Sequence, residues 1–272
     1  MIVFHYTDAQ GFLAVSRSKK LWASCIECLN DEREFHHGLD MAGDMATRLR
    51  WAEYPHLPNV EERVDTFVYA LSRLWAMYIF STSFSAKGDL LSQWRGYCGN
   101  GNGYNLGFDL EKMKTFCARN GYIFKPCVYE TAEQEELLRP IIVKLFSAGF
   151  DDNSIFPLEE RIKNASEMAA DAVREHAPFM KDCAFREEEE WRLVVHVNSS
   201  ADPRWLARPG RNSLVPYCEI DLSSNTDVFS QVTIGPGPFS REKLNFIARS
   251  HLRKVELGHI NLVNSKVPFR YW

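Results

Sequence analysis

The sequence predicts one α+β domain, and three observations predict it. Short β-rich stretches alternate with helical ones up to about residue 108, helices dominate 132–176, and from Phe185 onward the pattern is β-like apart from one late helix. At 45% hydrophobic and 13% aromatic residues, the 272-residue chain has the material for a core, which excludes disorder as its main state. No repeat, low-complexity tract or long linker divides it, so the expectation is a single domain over 1–272 with a helical insertion at about 32–77.

Ile2 to Tyr6 reads as a short buried strand, and Thr7-Asp8 caps a helix over Ala9 to about Ser18. Leu21 to Ser24 reads as a second strand, and Leu29-Asn30-Asp31-Glu32 as a turn. Helices follow at about 32–52 and 60–77, separated by Tyr54-Pro55-His56-Leu57-Pro58. Met77 to Phe84 is β-rich and Asp89 to Tyr97 helical. After the turn Gly99-Asn100-Gly101-Asn102-Gly103, Tyr104 to Phe108 returns as a strand, with Asp109 capping the next helix. A strand at 122–129 precedes helices near 132–148 and 157–176, with Asp151-Asp152-Asn153-Ser154 between them. Strands are expected at 191–197, 214–222, 228–234, 255–263 and 266–271, and a helix at about 240–252.

The 32 Lys and Arg against 36 Asp and Glu leave a net charge of −4, which argues against a protein held on nucleic acid by bulk charge. The strongest apolar run, Leu74 to Phe80, is far short of a membrane span, and Met1 to Thr7 lacks the features of a secretion signal. The 7 scattered cysteines fit a reduced, cytoplasmic protein without a membrane partner. Cys25, Cys28, His36 and His37 fit no common four-ligand spacing, so no metal is expected.

The stretch Phe185-Arg186-Glu187-Glu188-Glu189-Glu190-Trp191-Arg192-Leu193 carries the strongest chemical signal. In a strand, Glu188, Glu190 and Arg192 share one face and Glu189, Trp191 and Leu193 the other. Two carboxylates at a strand entrance suit a site that stabilises a developing cation, and the arginine keeps one of them ionised. A solvated acidic run is the competing reading. His5 and Thr7 read either as a core pair or as a site, and Ser81, Ser83 and Ser85 place three hydroxyls on one strand face. Trp94 and Tyr97 stand at i, i+3 on one helix, a packing arrangement. Arg208-Pro209-Gly210-Arg211-Asn212-Ser213 is a basic loop, suited to a phosphate or to plain solvation.

Taken in order, Phe4-His5-Tyr6-Thr7, Leu21-Trp22-Ala23-Ser24, Leu29-Asn30-Asp31 with Glu34, Phe84-Ser85, Trp94 and Tyr97, Gly107-Phe108, Glu188-Glu189-Glu190-Trp191-Arg192, Leu214-Val215-Pro216-Tyr217, Ile234-Gly235-Pro236 and Ser265-Lys266-Val267-Pro268-Phe269-Arg270 resemble a bacterial domain-of-unknown-function family, number twenty-nine seventy-one. More loosely, a strand with His-x-Thr, a helix, a short strand, a hydroxyl-rich strand and a later Glu-x-Glu strand are similar to the ADP-ribosyltransferase layout. That second resemblance implies a split β-sheet with a cleft for NAD. His5 and Thr7 would hold a ribose, Ser81, Thr82 and Ser83 would line the nicotinamide pocket, and Glu190 would be the catalytic glutamate with Glu188 ahead of it. Tyr6, Ser85, Trp94, Tyr97, Arg192 and Arg211 are the further candidate contacts to NAD. The implied reaction moves ADP-ribose from NAD to a protein, a nucleic acid or water, as in toxins and anti-phage effectors. A carboxylate beneath the sugar would stabilise the oxocarbenium-like transition state without a metal. The competing expectation is a non-catalytic module that binds a nucleotide or a partner. The two part on whether His5, Ser83 and Glu190 converge, or Glu190 is buried in a salt bridge.

Overall fold

The computed structural model describes residues 1–29, 34–57, 59–74, 76–98, 103–147, 155–210 and 213–268. Its fold is a mixture of helices with a mostly antiparallel open sheet of ten strands. The chain divides into two compact units: one comprises Met1–Cys25, Ile79–Pro126 and Glu187–Trp272, the other Ile26–Tyr78 and Cys127–Arg186. The helical segment expected at about 32–77 therefore lies in a unit that also takes the second helical block.

The first unit holds the sheet. Its strands are β1 (Ile2–Thr7), β2 (Lys20–Cys25), β3 (Ile79–Ser85), β4 (Tyr104–Asp109), β5 (Ile123–Pro126), β6 (Glu190–His196), β7 (Leu206–Pro209), β8 (Leu214–Asp221), β9 (Phe229–Ile234) and β10 (Asn261–Asn264). The order is β10-β9-β4-β1-β3-β2-β8-β7, with β6 on the other edge of β3 and β5 on β6. Among the described strands only β9 and β10 pair in parallel, and the helix between them, α8 (Arg241–Lys254), supplies the crossover that a parallel pair needs. The other helices of this unit are α1 (Ala9–Ser18), α4 (Leu91–Tyr97) and α5 (Leu110–Arg119). Asp8 and Asp109 cap α1 and α5, each carboxylate accepting from the backbone N–H three residues on, as their sequence positions predict.

Strand β3 is the hub. It pairs with β6 over its whole length, with β2 at Ser24↔Ser81 and Cys25↔Phe80, and with β1 at the one register pair Phe4↔Ser85. Beyond Phe4, β1 leaves β3 and continues along β4. One edge of β3 is thus shared by two strands that splay apart. Side chains alternate across the sheet, so the register Phe4↔Ser85↔Glu190 fixes both faces. Ser81, Ser83, Ser85, Glu190 and Arg192 lie on one face, and His5, Thr82, Phe84, Trp191 and Leu193 on the other. The second face is an aromatic layer, with Phe84 at 5.5 Å from both Phe108 and Phe124, and Phe124 at 5.3 Å from Trp191.

The second unit is built from α2 (Glu34–Ala52), α3 (Val60–Ser72), α6 (Thr131–Ser147) and α7 (Leu158–His176). Phe35, Leu39, Ala42, Met45, Ala46 and Leu49 bury one stripe of α2 at helical spacing. Ile162, Ala165, Ala169 and Val173 do the same for α7. Among the described residues no helix is long and apolar enough to cross a membrane.

Several stretches differ from the sequence reading. Residues 183–188 form a 3-10 helix and Glu189 takes a left-handed conformation (φ 42°), so the strand begins at Glu190 rather than running through the glutamates. Glu188 consequently leaves the strand on which it was expected to share a face with Glu190. The strand expected at 255–263 shortens to Asn261–Asn264, because α8 runs to Lys254 and closes through a left-handed Glu256 (φ 61°), with Leu257 N–H donating to Leu252 O. Residues 206–209, which include Arg208 and Pro209 of the expected basic loop, form β7 against β8, and the strand expected at 266–271 is absent over the described residues 266–268. The turn at 30–32, the loop at 99–102, the punctuation at 151–154, Arg211 and the closing residues from 269 onward lie outside the described residues.

Candidate functional site

The strand register assembles a polar face in the sheet unit. Ser85 lies opposite Glu190 and Ser83 opposite Arg192, while Ser24 on β2 lies opposite Ser81. At its centre is an ion pair between residues i and i+2 of β6. Arg192 Nε donates to Glu190 Oε1 at 2.6 Å and Nη2 to Oε2 at 3.3 Å, with side chains 1% and 5% exposed. Both carboxylate oxygens are thus engaged by one guanidinium, the fork geometry that arginine favours. Glu190 is buried in a salt bridge.

Ser85 Oγ donates to Glu188 O (2.5 Å) and accepts from Lys87 N–H (2.9 Å), which ties the end of β3 to the segment entering β6. Ala86 N–H donates to Glu189 O (3.0 Å), and Lys87 Nζ pairs with the exposed Glu189 carboxylate at 2.8 Å. Glu188, half-buried, thus contributes a backbone acceptor to this joint. Ser83 is half-buried, and Ser81 Oγ is buried without a hydrogen-bond partner among the described residues. Arg208 reaches from β7 across β8 to this face. Its Nη2 donates to Ser24 Oγ (3.0 Å), its guanidinium lies 5.6 Å from the exposed Trp22 ring, and its Nε is buried without a partner among the described residues.

His5 stands on the opposite face, with its ring 5.8 Å from Phe84. Its Nδ1 donates to Ser83 O at 2.9 Å, bridging the opening between β1 and β3. Burial holds its pKa below the ordinary 6.5, against a smaller opposing push from that hydrogen bond, so the ring is neutral with the proton on Nδ1. His5 and Ser83 therefore meet, whereas the imidazole and the Glu190 carboxylate lie on opposite faces of the sheet. Thr7 points to α1, where a Cβ on Gly11 would fall 1.9 Å from its Oγ1.

Tyr6 and Trp94 belong to a structural knot. Trp94 is fully buried and meets the Tyr6 ring edge-on at 4.6 Å. Tyr6 OH donates to Lys87 O (2.6 Å) and accepts from Leu90 N–H (3.1 Å), while Trp94 Nε1 donates to Asp89 Oδ1 (2.8 Å). Asp89 also accepts from Ser265 Oγ (2.5 Å) and Lys266 N–H (2.7 Å), and Asn105 Nδ2 donates to Gly88 O (2.7 Å). These contacts fix the loop 86–90 between β3 and α4. Tyr97 is exposed on α4.

Sequence reasoning missed Asp89, Asn105 and Ser24. Asp89 carries a signal in hindsight, an aspartate five residues before a tryptophan at a helix entrance, but its other partners are supplied from residues 265 and 266. Ser24 matters only through its neighbours on β3 and β7. Among the described residues no cluster of three or more His, Cys, Asp or Glu side chains could hold a metal ion.

No curated protein and no solved structure matches the chain. Residues 93–193, which include Trp94, Glu190 and Arg192, match the model of a family described as "Protein of unknown function (DUF2971)".

Proposed function

We propose that the sheet unit is a nucleotide-binding module that holds its ligand on the serine face, with Glu190 acting as counter-ion to Arg192 rather than as a catalytic carboxylate. The observation that carries this reading is the buried ion pair. A carboxylate that stabilises an oxocarbenium-like sugar must lie against that sugar. Both oxygens of Glu190 are instead held by Arg192 at 2.6 and 3.3 Å. Separating such a pair costs about 3–5 kcal/mol, a penalty that sugar binding would have to overcome. The half-buried Arg208 guanidinium, beside the exposed Trp22, offers a phosphate donor and an aromatic surface. The test is a thermal shift with NAD, ADP and ATP, alongside an assay for nicotinamide release. A rise in melting temperature that disappears in Arg208→Ala, without nicotinamide release, is the expected result. Nicotinamide release by the wild type that is lost in a folded Glu190→Gln variant would overturn it.

A second reading is ADP-ribosyl transfer or hydrolysis of NAD, and the splayed strands favour it. β1 and β3 share the one register pair Phe4↔Ser85, and His5 spans the opening to Ser83 O. An NAD that entered this opening from the edge would reach His5 and, through a displaced Arg192, Glu190. Under this reading Glu188 positions a protein or nucleic-acid acceptor, and a toxin or anti-phage role follows. The nicotinamide assay decides between the two.

A further inference from the structure

Helix α8 carries charge of the opposite sign to the whole chain. Arg241, Lys243, Arg249, Arg253 and Lys254 stand against the lone acid Glu242 within its 14 residues, while the chain as a whole is at −4. Ala248 and Leu252 are buried against the sheet unit. At 3.6 residues per turn the opposite stripe runs through Lys243, Phe246, Ile247, Ser250 and Lys254. Phe246 is 74% exposed and Ile247 59%, and Phe239, just ahead of the helix, is 64% exposed. A single exposed apolar side chain requires no explanation, but two large neighbours set among cations on one outward helix stripe do.

We propose that the outward stripe of α8 docks on an anionic lipid surface. The cations select phosphate-bearing headgroups, and Phe246 and Ile247 reach past them into the acyl boundary, as interfacial basic helices do. Charge complementarity sets the sign of the partner. The convex shape of a helix on a sheet favours a surface over a strand of nucleic acid, which needs a groove to track its backbone. The aliphatic Ile247 gains from hydrocarbon and has no base-stacking use. The absence of a spanning helix among the described residues is compatible with this, because the contact is peripheral.

The test is co-sedimentation of the full chain with phosphatidylserine-containing vesicles and with phosphatidylcholine vesicles. Binding is expected to the first only, and to weaken as salt shortens the screening length. Each cation near such a surface is worth about fivefold in partitioning, so Lys243→Gln with Lys254→Gln weakens binding by about 25-fold. Phe246→Ser with Ile247→Ser abolishes it, and because all four side chains are solvent-facing, the melting temperature stays unchanged. Failure to sediment with phosphatidylserine vesicles, equal binding to both vesicles, or binding that the folded variants leave intact would each overturn the proposal. So would retention of single-stranded or duplex DNA by this face without vesicle binding.

Discussion

Glu190→Gln removes one charge from the Arg192 pair while keeping the shape of the side chain. In the structure the two groups meet through contacts of 2.6 and 3.3 Å, with side chains 5% and 1% exposed, so water cannot replace the lost partner. Breaking a buried pair by neutralising one member costs about 3–5 kcal/mol, because the other charge remains desolvated with its contact to the carboxylate weakened. Against a total stability of about 5–15 kcal/mol, that moves the unfolding midpoint far but leaves a folded population in water. Urea unfolding followed by tryptophan fluorescence measures it. The partner experiment is the double change Glu190→Met with Arg192→Met, which removes both charges at similar volume. It is expected to lie within about 1–2 kcal/mol of wild type, or above it, and in either case well above the single variant. The reasoning is refuted if Glu190→Gln unfolds at the wild-type midpoint, or if the double variant is less stable than the single one. The same experiment guards the functional test, since activity lost in a Glu190 variant speaks to catalysis only while the protein is folded.

Two further predictions follow from the geometry around the sheet. Gly88→Ala places a methyl group 2.6–2.9 Å from the ring atoms of Phe4, so Phe4 must move within a packed layer. A loss of about 1–3 kcal/mol is expected in thermal or urea unfolding, and an unchanged midpoint would show that the loop 86–90 is free to shift. His5 and His251 both have pKa values lowered from 6.5, His5 mainly by burial and His251 by burial and by Arg17, Lys19 and Lys254. The unfolded chain then binds protons before the folded one does. The stability these two groups contribute is fully present above about pH 6.5 and falls as the pH drops below it. Melting temperature measured from about pH 8 to about pH 5 should decline on the acid side, less steeply in His5→Phe, and a flat profile would contradict the burial.

Much of the fold was legible because its signals are local. Asp8 and Asp109 cap the helices they precede, and strands β1, β3, β4, β8 and β9 lie within one or two residues of their expected limits. The strand entering at Glu190 is a counter-example. A run of four glutamates has no period that marks where a strand starts, and a left-handed residue at Glu189 separates Glu188 from the face it was expected to share. β7 escaped notice because Arg208-Pro209-Gly210 has turn composition, and the pairing that makes it a strand comes from β8.

The sequence by itself determined that helices and strands mix in this order, that Ser81, Ser83 and Ser85 share a face, and that Glu190 and Arg192 stand two apart on a strand. Those follow from short-range periodicity and capping, which act within a few residues. Only the tertiary structure decided what that face meets. The pairing of Ser85 with Glu190 joins residues over 100 positions apart, and the register Phe4↔Ser85 sends His5 to the aromatic side. Register is settled by which long-range pairs close together, and moving it by one residue exchanges the two faces. For that reason the same Glu190 and Arg192 that read as an open catalytic strand in the sequence form a buried ion pair in the fold.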